Sequence, residues 1–352
     1  MIGLAAQTTD HRPPTTESQP SKGKPSVRTS RLLVLALLLT AVSTPAAAQL
    51  TDTYVITAAA NLQGGNNTRW LTQLSLFNPH FDYKLNVSVT WIPTGGAPGI
   101  EKLIELPANS TFLTDDLLGD VFKVNGGGSL LLATFPEDNP GVGTEVLDLA
   151  FLVTSNTYNN SSSGTYGQTI PGVWAGLLDY DSDEISAIAH GIDNSSRLKF
   201  RTNIGAVNLG RCEVNVLVSA YDADGRKVLN EAALRVPPLA HIQDRLPVTL
   251  EGGSVEFFVQ DPCAADNERF AVVFPYTSTI DDLSGDPKYQ TPTLLATPGT
   301  IFGKKATKSI TTDSTQLGKK IDSTYARGVR NSASRLGTVH LVRGERGWKV
   351  AE

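Results

Sequence analysis

The residues of this chain best equipped for chemistry are five histidines, a dense set of carboxylates and two cysteines. The histidines are His11, His80, His190, His241 and His340. None stands at the spacing of a zinc-protease helix or beside a Gly-x-Ser-x-Gly turn that would expose a nucleophile. Serine, histidine and aspartate occur throughout, so composition defines no triad. Gly126-Gly127-Gly128 lacks the Lys and the helix that complete a phosphate loop. Paired acids for glycoside chemistry must lie about 5–10 Å apart in a cleft, a distance that a sequence does not display. The chain therefore reads as a non-enzyme that needs no cofactor.

Binding is the next question. Asp179, Asp181, Asp183 and Glu184 form the densest acidic cluster, and carboxylates at alternate positions can share a hard cation. A solvated loop is the commoner use of such a run and is the preferred reading. Asp222-Ala223-Asp224-Gly225 also alternates carboxylates, but it lacks the third acid and the distal Glu of a calcium loop. It reads better as a hairpin turn whose Gly takes a positive φ. Trp70, Trp91, Trp174 and Tyr166 are the rings that could stack on a sugar. Trp70 and Trp91 fall within strands and suit a core, whereas Trp174 and Tyr166 lie near loops and are the candidate ligand contacts. Cys212 and Cys263 are the only cysteines. They are expected to pair in an oxidising compartment, closing a loop of about 50 residues, worth on the order of 4 kcal/mol. The alternative is two unpaired small hydrophobes; with no His nearby, a metal site lacks ligands.

The N-terminus supplies that compartment. Arg28 and Arg31 precede an apolar run from Leu32 to Val42, followed by Pro45-Ala46-Ala47-Ala48-Gln49. The small residues at Ala46 and Ala48 place signal-peptide cleavage after Ala48. As a helix the run spans roughly 16 Å, about half a bilayer core, so it is too short for an anchor. Met1 to Ser30 is long and polar for a signal peptide, as expected of an upstream start codon or a disordered leader.

The elements that must position any site repeat themselves. Trp70-Leu71-Thr72-Gln73-Leu74-Ser75-Leu76-Phe77-Asn78 recurs at an offset of 130 as Phe200-Arg201-Thr202-Asn203-Ile204-Gly205-Ala206-Val207-Asn208. Both copies begin on an aromatic, carry Thr at the third position and end on Asn. Leu85, Val87, Val89 and Trp91 alternate with polar residues as a half-buried strand does, and so do Val214, Val216 and Val218. Leu106-Pro107 corresponds to Val236-Pro237, and Gly126-Gly127-Gly128-Ser129 to Glu251-Gly252-Gly253-Ser254. Strands this short, with a turn signal every 8–12 residues, suit an all-β fold of immunoglobulin-like sandwiches. Residues 49–172 form sandwich 1, 173–184 a linker, and 185–292 sandwich 2. Residues 1–48 are the leader and signal peptide. Residues 293–352, with eleven basic residues scattered among Ser, Thr and Gly, read as a basic flexible tail.

The Arg201-Thr202-Asn203-Ile204-Gly205…Asn208 strand, the Tyr221–Gly225 hairpin and Gly164-Thr165-Tyr166-Gly167-Gln168 resemble tandem Ig-like repeats of secreted bacterial proteins. The resemblance covers roughly residues 54–292. It implies an extracytoplasmic protein of uncertain role and carries no chemistry.

Charge narrows the partner. Residues 1–48 carry five basic and two acidic groups and 299–352 eleven and four, which leaves −15 of the net −5 for residues 49–298. An acidic exported body argues against nucleic acid. The expected function is adhesion, scaffolding or ligand binding at the cell envelope or outside it, with a protein or glycan partner. A carbohydrate-binding module and a hydrolase with its site between the two domains are the alternatives.

Overall fold

The computed structural model describes residues 50–64, 68–161, 164–174, 186–260, 272–295 and 323–351. Gln49–Glu352 forms one compact unit. Among the described residues it is all-β apart from one helix and two short helical turns.

The first half contributes β1 (Thr53–Gln63), β2 (Arg69–Asn78), β3 (Leu85–Pro93), β4 (Ile100–Leu106), β5 (Ser110–Thr114), β6 (Gly126–Thr134), β7 (Leu152–Ser161), β8 (Gly164–Ile170) and β9 (Val173–Trp174). The second contributes β10 (Ser186–Asn194), β11 (Phe200–Asn208), β12 (Val214–Tyr221), β13 (Lys227–Val236), β14 (Ala240–Arg245), β15 (Leu250–Gln260), β16 (Val273–Asp281), β17 (Pro287–Gln290) and β18 (Thr293–Leu295). In the second half the strands run β13-β12-β15-β10-β18 in one sheet and β14-β11-β16-β17 in the other. The first half pairs its strands in the corresponding orders, β4-β3-β6-β1-β9 and β5-β2-β7-β8.

The immunoglobulin strand order expected from the sequence does not hold. In that plan the first strand lies beside the second and the seventh beside the sixth. Here β1 lies beside β6 and β7 beside β2, and β10 and β16 do the same beside β15 and β11. Spacing of turns sets how many strands there are; it does not say which edge the first one joins.

The repeated nine residues are structural pins. Leu74 and Leu76 lie in the first core, and Ile204 and Ala206 in the second, all essentially without exposure. Asn78 Nδ2 donates to the carbonyls of Tyr83, Leu106 and Pro107, and its Oδ1 accepts from the His80 amide. Asn208 Nδ2 donates to the carbonyls of Cys212, Val236 and Pro237, and its Oδ1 accepts from Gly210. Thr72 and Thr202 likewise bond a carbonyl of the preceding strand and a facing Thr. Replacing a buried Asn with Ala strands several backbone groups, each costing about 1–3 kcal/mol. Asn208→Ala should lower the denaturant-derived stability by about 2–3 kcal/mol. Asn78→Ala should cost a similar amount, and an Asn208→Ala chain as stable as the parent would disprove the pin.

A third core explains why the halves do not separate at a linker. Leu130 and Leu132 of β6 face the first core, while Leu131 and Ala133 face the opposite way. The unbroken apolar run reflects burial on both faces. Leu131 and Ala133 pack with Val55, Ile92 and Phe135 of the first half and Val207 and Phe274 of the second. The expected linker 173–184 begins instead with β9, which pairs with β1 through Tyr54 and Val55.

The tail is likewise packed where it is described. Helix α1 (Ser323–Ser332) inserts Ala326 and Val329 into the third core. β19 (Ser334–Val339) runs parallel to β4, and β20 (Leu341–Arg343) and β21 (Trp348–Val350) form a hairpin whose second strand lies parallel to β5. β1 also crosses to β2 through Leu62 and Gln63. The first-half sheet therefore runs β19-β4-β3-β6-β1-β2-β5-β21-β20, starting and ending on the C-terminal segment and nearly closing a barrel. The scattered basic residues hid this because their pairing partners lie more than 180 positions earlier.

Candidate functional site

Two buried polar constellations stand out. The first lies where α1 meets the first half. Seating Ala326 and Val329 in the core turns the adjacent Arg330 inward, where its side chain is only 4% exposed. Arg330 Nη2 donates to Asp138 Oδ1 at 2.8 Å, and Nη1 lies 2.5 Å from Oδ2. Its Nε is 2.8 Å from Glu101 Oε1, and the guanidinium sits 4.6 Å over the Phe135 ring. Glu101, on β4 and also buried, accepts from Ser88 Oγ and Arg335 Nε, each at 2.7 Å. Arg327 grips Glu137 through two hydrogen bonds of 3.1 Å. Burial pushes the Asp138 carboxyl above its ordinary range, against the lowering charge of Arg335. Glu101, Asp138, Arg330, Arg335 and Thr338 line a cavity of about 120 Å³. Arg327, Arg330 and Arg335 face Glu101, Glu137 and Asp138, so the cluster is balanced and holds no surplus charge for a ligand.

The second constellation joins the halves. Tyr276 OH donates to Gln243 Oε1 at 2.7 Å. That leaves the Tyr276 oxygen to accept from His241 Nε2 at 2.8 Å, while His241 Nδ1 accepts from Thr94 Oγ1 at 2.7 Å. The neutral imidazole thus satisfies every partner. Burial pushes the His241 pKa down to about 4 and the Tyr276 hydroxyl far above its ordinary value. Tyr289 stacks on Tyr276 with ring centres 5.6 Å apart, bonds Thr57 of β1, and is pushed up to about 12 by burial. Gly205 makes room: a Cβ there would meet the Tyr276 ring at 2.3 Å. This explains the Gly in the second copy of the repeated strand, where the first has Ser75.

The residues singled out from the sequence do not converge on either cluster. Tyr166 is half-buried in the β7–β8 hairpin opposite Asn159. The backbone of Trp174 pairs with Tyr54 in β9. Trp91 is buried, with the Gly126 backbone against its ring. Asp179, Asp181, Asp183 and Cys263 lie outside the described residues. Cys212 is disulfide-bonded. Asp222-Ala223-Asp224-Gly225 is the expected hairpin turn: Gly225 has φ +80° and donates to the Asp222 carbonyl at 3.0 Å. Arg226 binds both carboxylates, at 2.9 and 3.0 Å, and hydrogen bonds from Arg226 hold the Asp222 carboxyl below the usual carboxylate range. Among the described residues, no group of three or more His, Cys, Asp or Glu is placed to hold a metal ion. Among them, no helix is long and apolar enough to cross a membrane.

Sequence reading missed the arginine cluster and the His241 network. The helical spacing of Ala326, Val329 and Arg330 was the available signal for the first. His241 had none, since its partners, Thr94 and Tyr276, come from the β3–β4 turn and from β16, far from it in the chain.

No family model and no curated protein matches the chain. Among solved structures, it is similar to a crystal structure of a protein assigned as secreted, from Parabacteroides distasonis ATCC 8503, at 11% identity. The match covers 65% of this chain and 86% of that one, with a TM-score of 0.17, too low to speak for fold or role.

Proposed function

We propose that this is an exported, non-enzymatic protein that binds or scaffolds at the cell envelope or outside it, built from two copies of one ancestral β-sandwich. The matching strand orders and the equivalent Asn78 and Asn208 bonds support duplication. The charged leader, the apolar run from Leu32 to Val42 and the small residues before Gln49 support export. A Cys212–Cys263 disulfide fits that destination.

One observation carries the non-enzymatic reading. The buried ionisable groups Arg330, Glu101, Asp138, His241 and Tyr276 each have an ion-pair or hydrogen-bond partner within the fold and serve to hold its parts together, with Arg330 Nε and Asp138 Oδ2 held by ion pairing alone. A hydrolase site between the halves is disfavoured because the third core fills much of that junction. A sugar platform is disfavoured because Trp91 is buried and Tyr166 half-buried.

Of the three most exposed large apolar side chains among the described residues, Leu283 lies alone in the β16–β17 turn, whereas Phe81 and Leu147 lie on loops of the first half that are joined to each other. Phe81 is 81% exposed and Leu147 66%. Their loops are tied together by Tyr83 OH donating to the Asp148 carbonyl at 2.9 Å and by His80 Nε2 bonding to the Ala150 carbonyl at 3.1 Å. Large exposed side chains on clamped loops suit a recognition surface. The Gln49–Glu352 chain should capture envelope proteins or glycans in an array screen. The Phe81→Ala/Leu147→Ala variant should weaken the hits about tenfold or more, the loss of one hot-spot contact. Binding unaffected by that variant would move the surface elsewhere, and turnover of a hydrolase substrate panel would overturn the non-enzymatic reading.

A further inference from the structure

The same edge position is covered by a glycine-bearing hairpin turn in both halves, but the turns come from different places. In the second half the edge strand is β14, and the β3–β4 turn of the first half docks on it. Thr94 bridges His241 in parallel, and the Gly95 amide donates to the His241 carbonyl at 3.0 Å. A Cβ on Gly96 would lie 3.5 Å from Pro237. In the first half the edge strand is β5, and the β20–β21 turn docks on it. Trp348 pairs with Phe112 in parallel, and a Cβ on Gly347 would lie 2.8 Å from the Thr111 carbonyl oxygen. Thr111 and His241 are separated by the offset of 130 that relates the repeated strands. The C-terminal hairpin therefore occupies, on the first half, the place that a β3–β4 turn occupies on the second.

The counterpart of the β3–β4 turn in the second half is the β12–β13 turn, and it is exposed. Asp222 N–H donates to the Arg226 carbonyl at 2.9 Å to close it. The side chains of Asp224 and Arg226 at its tip are 77% and 74% exposed. Arg346 of the cap reaches Asp115 at 3.1 Å, whereas Arg226 is bound to Asp222 and Asp224 of its own turn, so the β12–β13 turn matches the cap in its exposed hairpin shape and not in its charge.

We propose that the β20–β21 hairpin is an intramolecular cap on β5, and that the occupant it excludes is the β12–β13 turn of a second copy of this chain. With the cap seated, each chain stays single. With it displaced, each chain presents one turn and one receptive edge on different surfaces. Such a head-to-tail contact does not close on itself and propagates into linear assemblies. The intramolecular cap has the advantage of effective concentration, so the intermolecular contact wins only once the cap is removed or strained.

Gly347→Val in the full chain tests this, because Gly347 has φ +149° and no room for a Cβ. Sedimentation should show the parent at the mass of one chain at every concentration. Gly347→Val should give a weight-average mass that rises with concentration to at least about twice that value, as an open contact requires. Adding Gly225→Val, which deforms the incoming turn, should return it to one chain. A chain ending at Val339 removes the cap outright; it should assemble, and a synthetic peptide of residues 340–352 should reverse the assembly. A chain ending at Val339 that stays single would overturn the proposal. So would assembly indifferent to both Gly225→Val and the peptide, or a parent that associates with its cap in place.

Discussion

Glu101→Ala should cost the folded chain about 3–5 kcal/mol, the usual penalty for removing one partner of a buried ion pair. Glu101 is 2% exposed and accepts from Ser88 while facing both Arg330 and Arg335. Without it, Arg330 keeps Asp138 but loses the carboxylate beside its Nε, while its side chain stays 4% exposed. The penalty comes from a stranded charge more than from a lost attraction, which orders the variants. Arg335 is 60% exposed, so Arg335→Ala returns little charge to a dry site and should cost about 1 kcal/mol or less. Lys84→Ala, at an exposed pair with Glu105, should be nearly silent. Denaturant unfolding of the three variants measures the order directly. Hydrogen exchange adds where the effect lands: β19 is held beside β4 and next to this cluster, so its amides should lose protection first in Glu101→Ala. Equal stability of Glu101→Ala and the parent would mean that the cluster does not secure the C-terminal segment.

How much of this was legible in the sequence depends on how local the cause is. The β-strands and hairpin turns are written in near-neighbour chemistry: alternation at Leu85, Val87 and Val89, and the Asp-Gly turn at 224–225. The repeated strand is also legible, because Asn78 and Asn208 need the same carbonyls around them in both halves. Strand order is different. Nothing near β1 says that most of it joins β6 and only its last two residues β2, since that choice is made by the second face of the sheet. The run Leu130-Leu131-Leu132-Ala133 did carry the information that both faces are buried, and with it the third core. The C-terminal segment failed for another reason. Its Lys, Arg, Ser and Gly content matches that of a solvated tail. Its order comes from carboxylates at 101, 137 and 138, which the earlier part of the chain supplies. Composition reports what a segment can do alone and is silent on what it does against a partner.

Acid should loosen the junction between the halves before it titrates most carboxylates, and His241 is the group responsible. In the fold its pKa is pushed down to about 4 by burial, from an ordinary value of 6.5. A histidine depressed in the folded state binds its proton more readily when unfolded, so stability rises with pH across this interval. The contribution is complete above pH 6.5 and is lost as pH falls toward 4. The shift is worth about 3 kcal/mol at most. The geometry gives the same sign: a second ring proton would place a charge against the buried Tyr276 ring and hydroxyl in a dry contact. Neither Tyr276 nor Tyr289 can compensate, because both are held neutral far above this range. His241→Gln keeps a hydrogen-bonding side chain there and removes the titration. Its unfolding free energy should therefore fall less than the parent's between pH 7 and pH 5, a window in which ordinary carboxylates change little. The difference between the two proteins cancels the other histidines, so parallel curves across that window would show that His241 is not buried neutral at the junction. The expected curves converge, with the variant less stable than the parent at pH 7 and the gap closing as the pH is lowered.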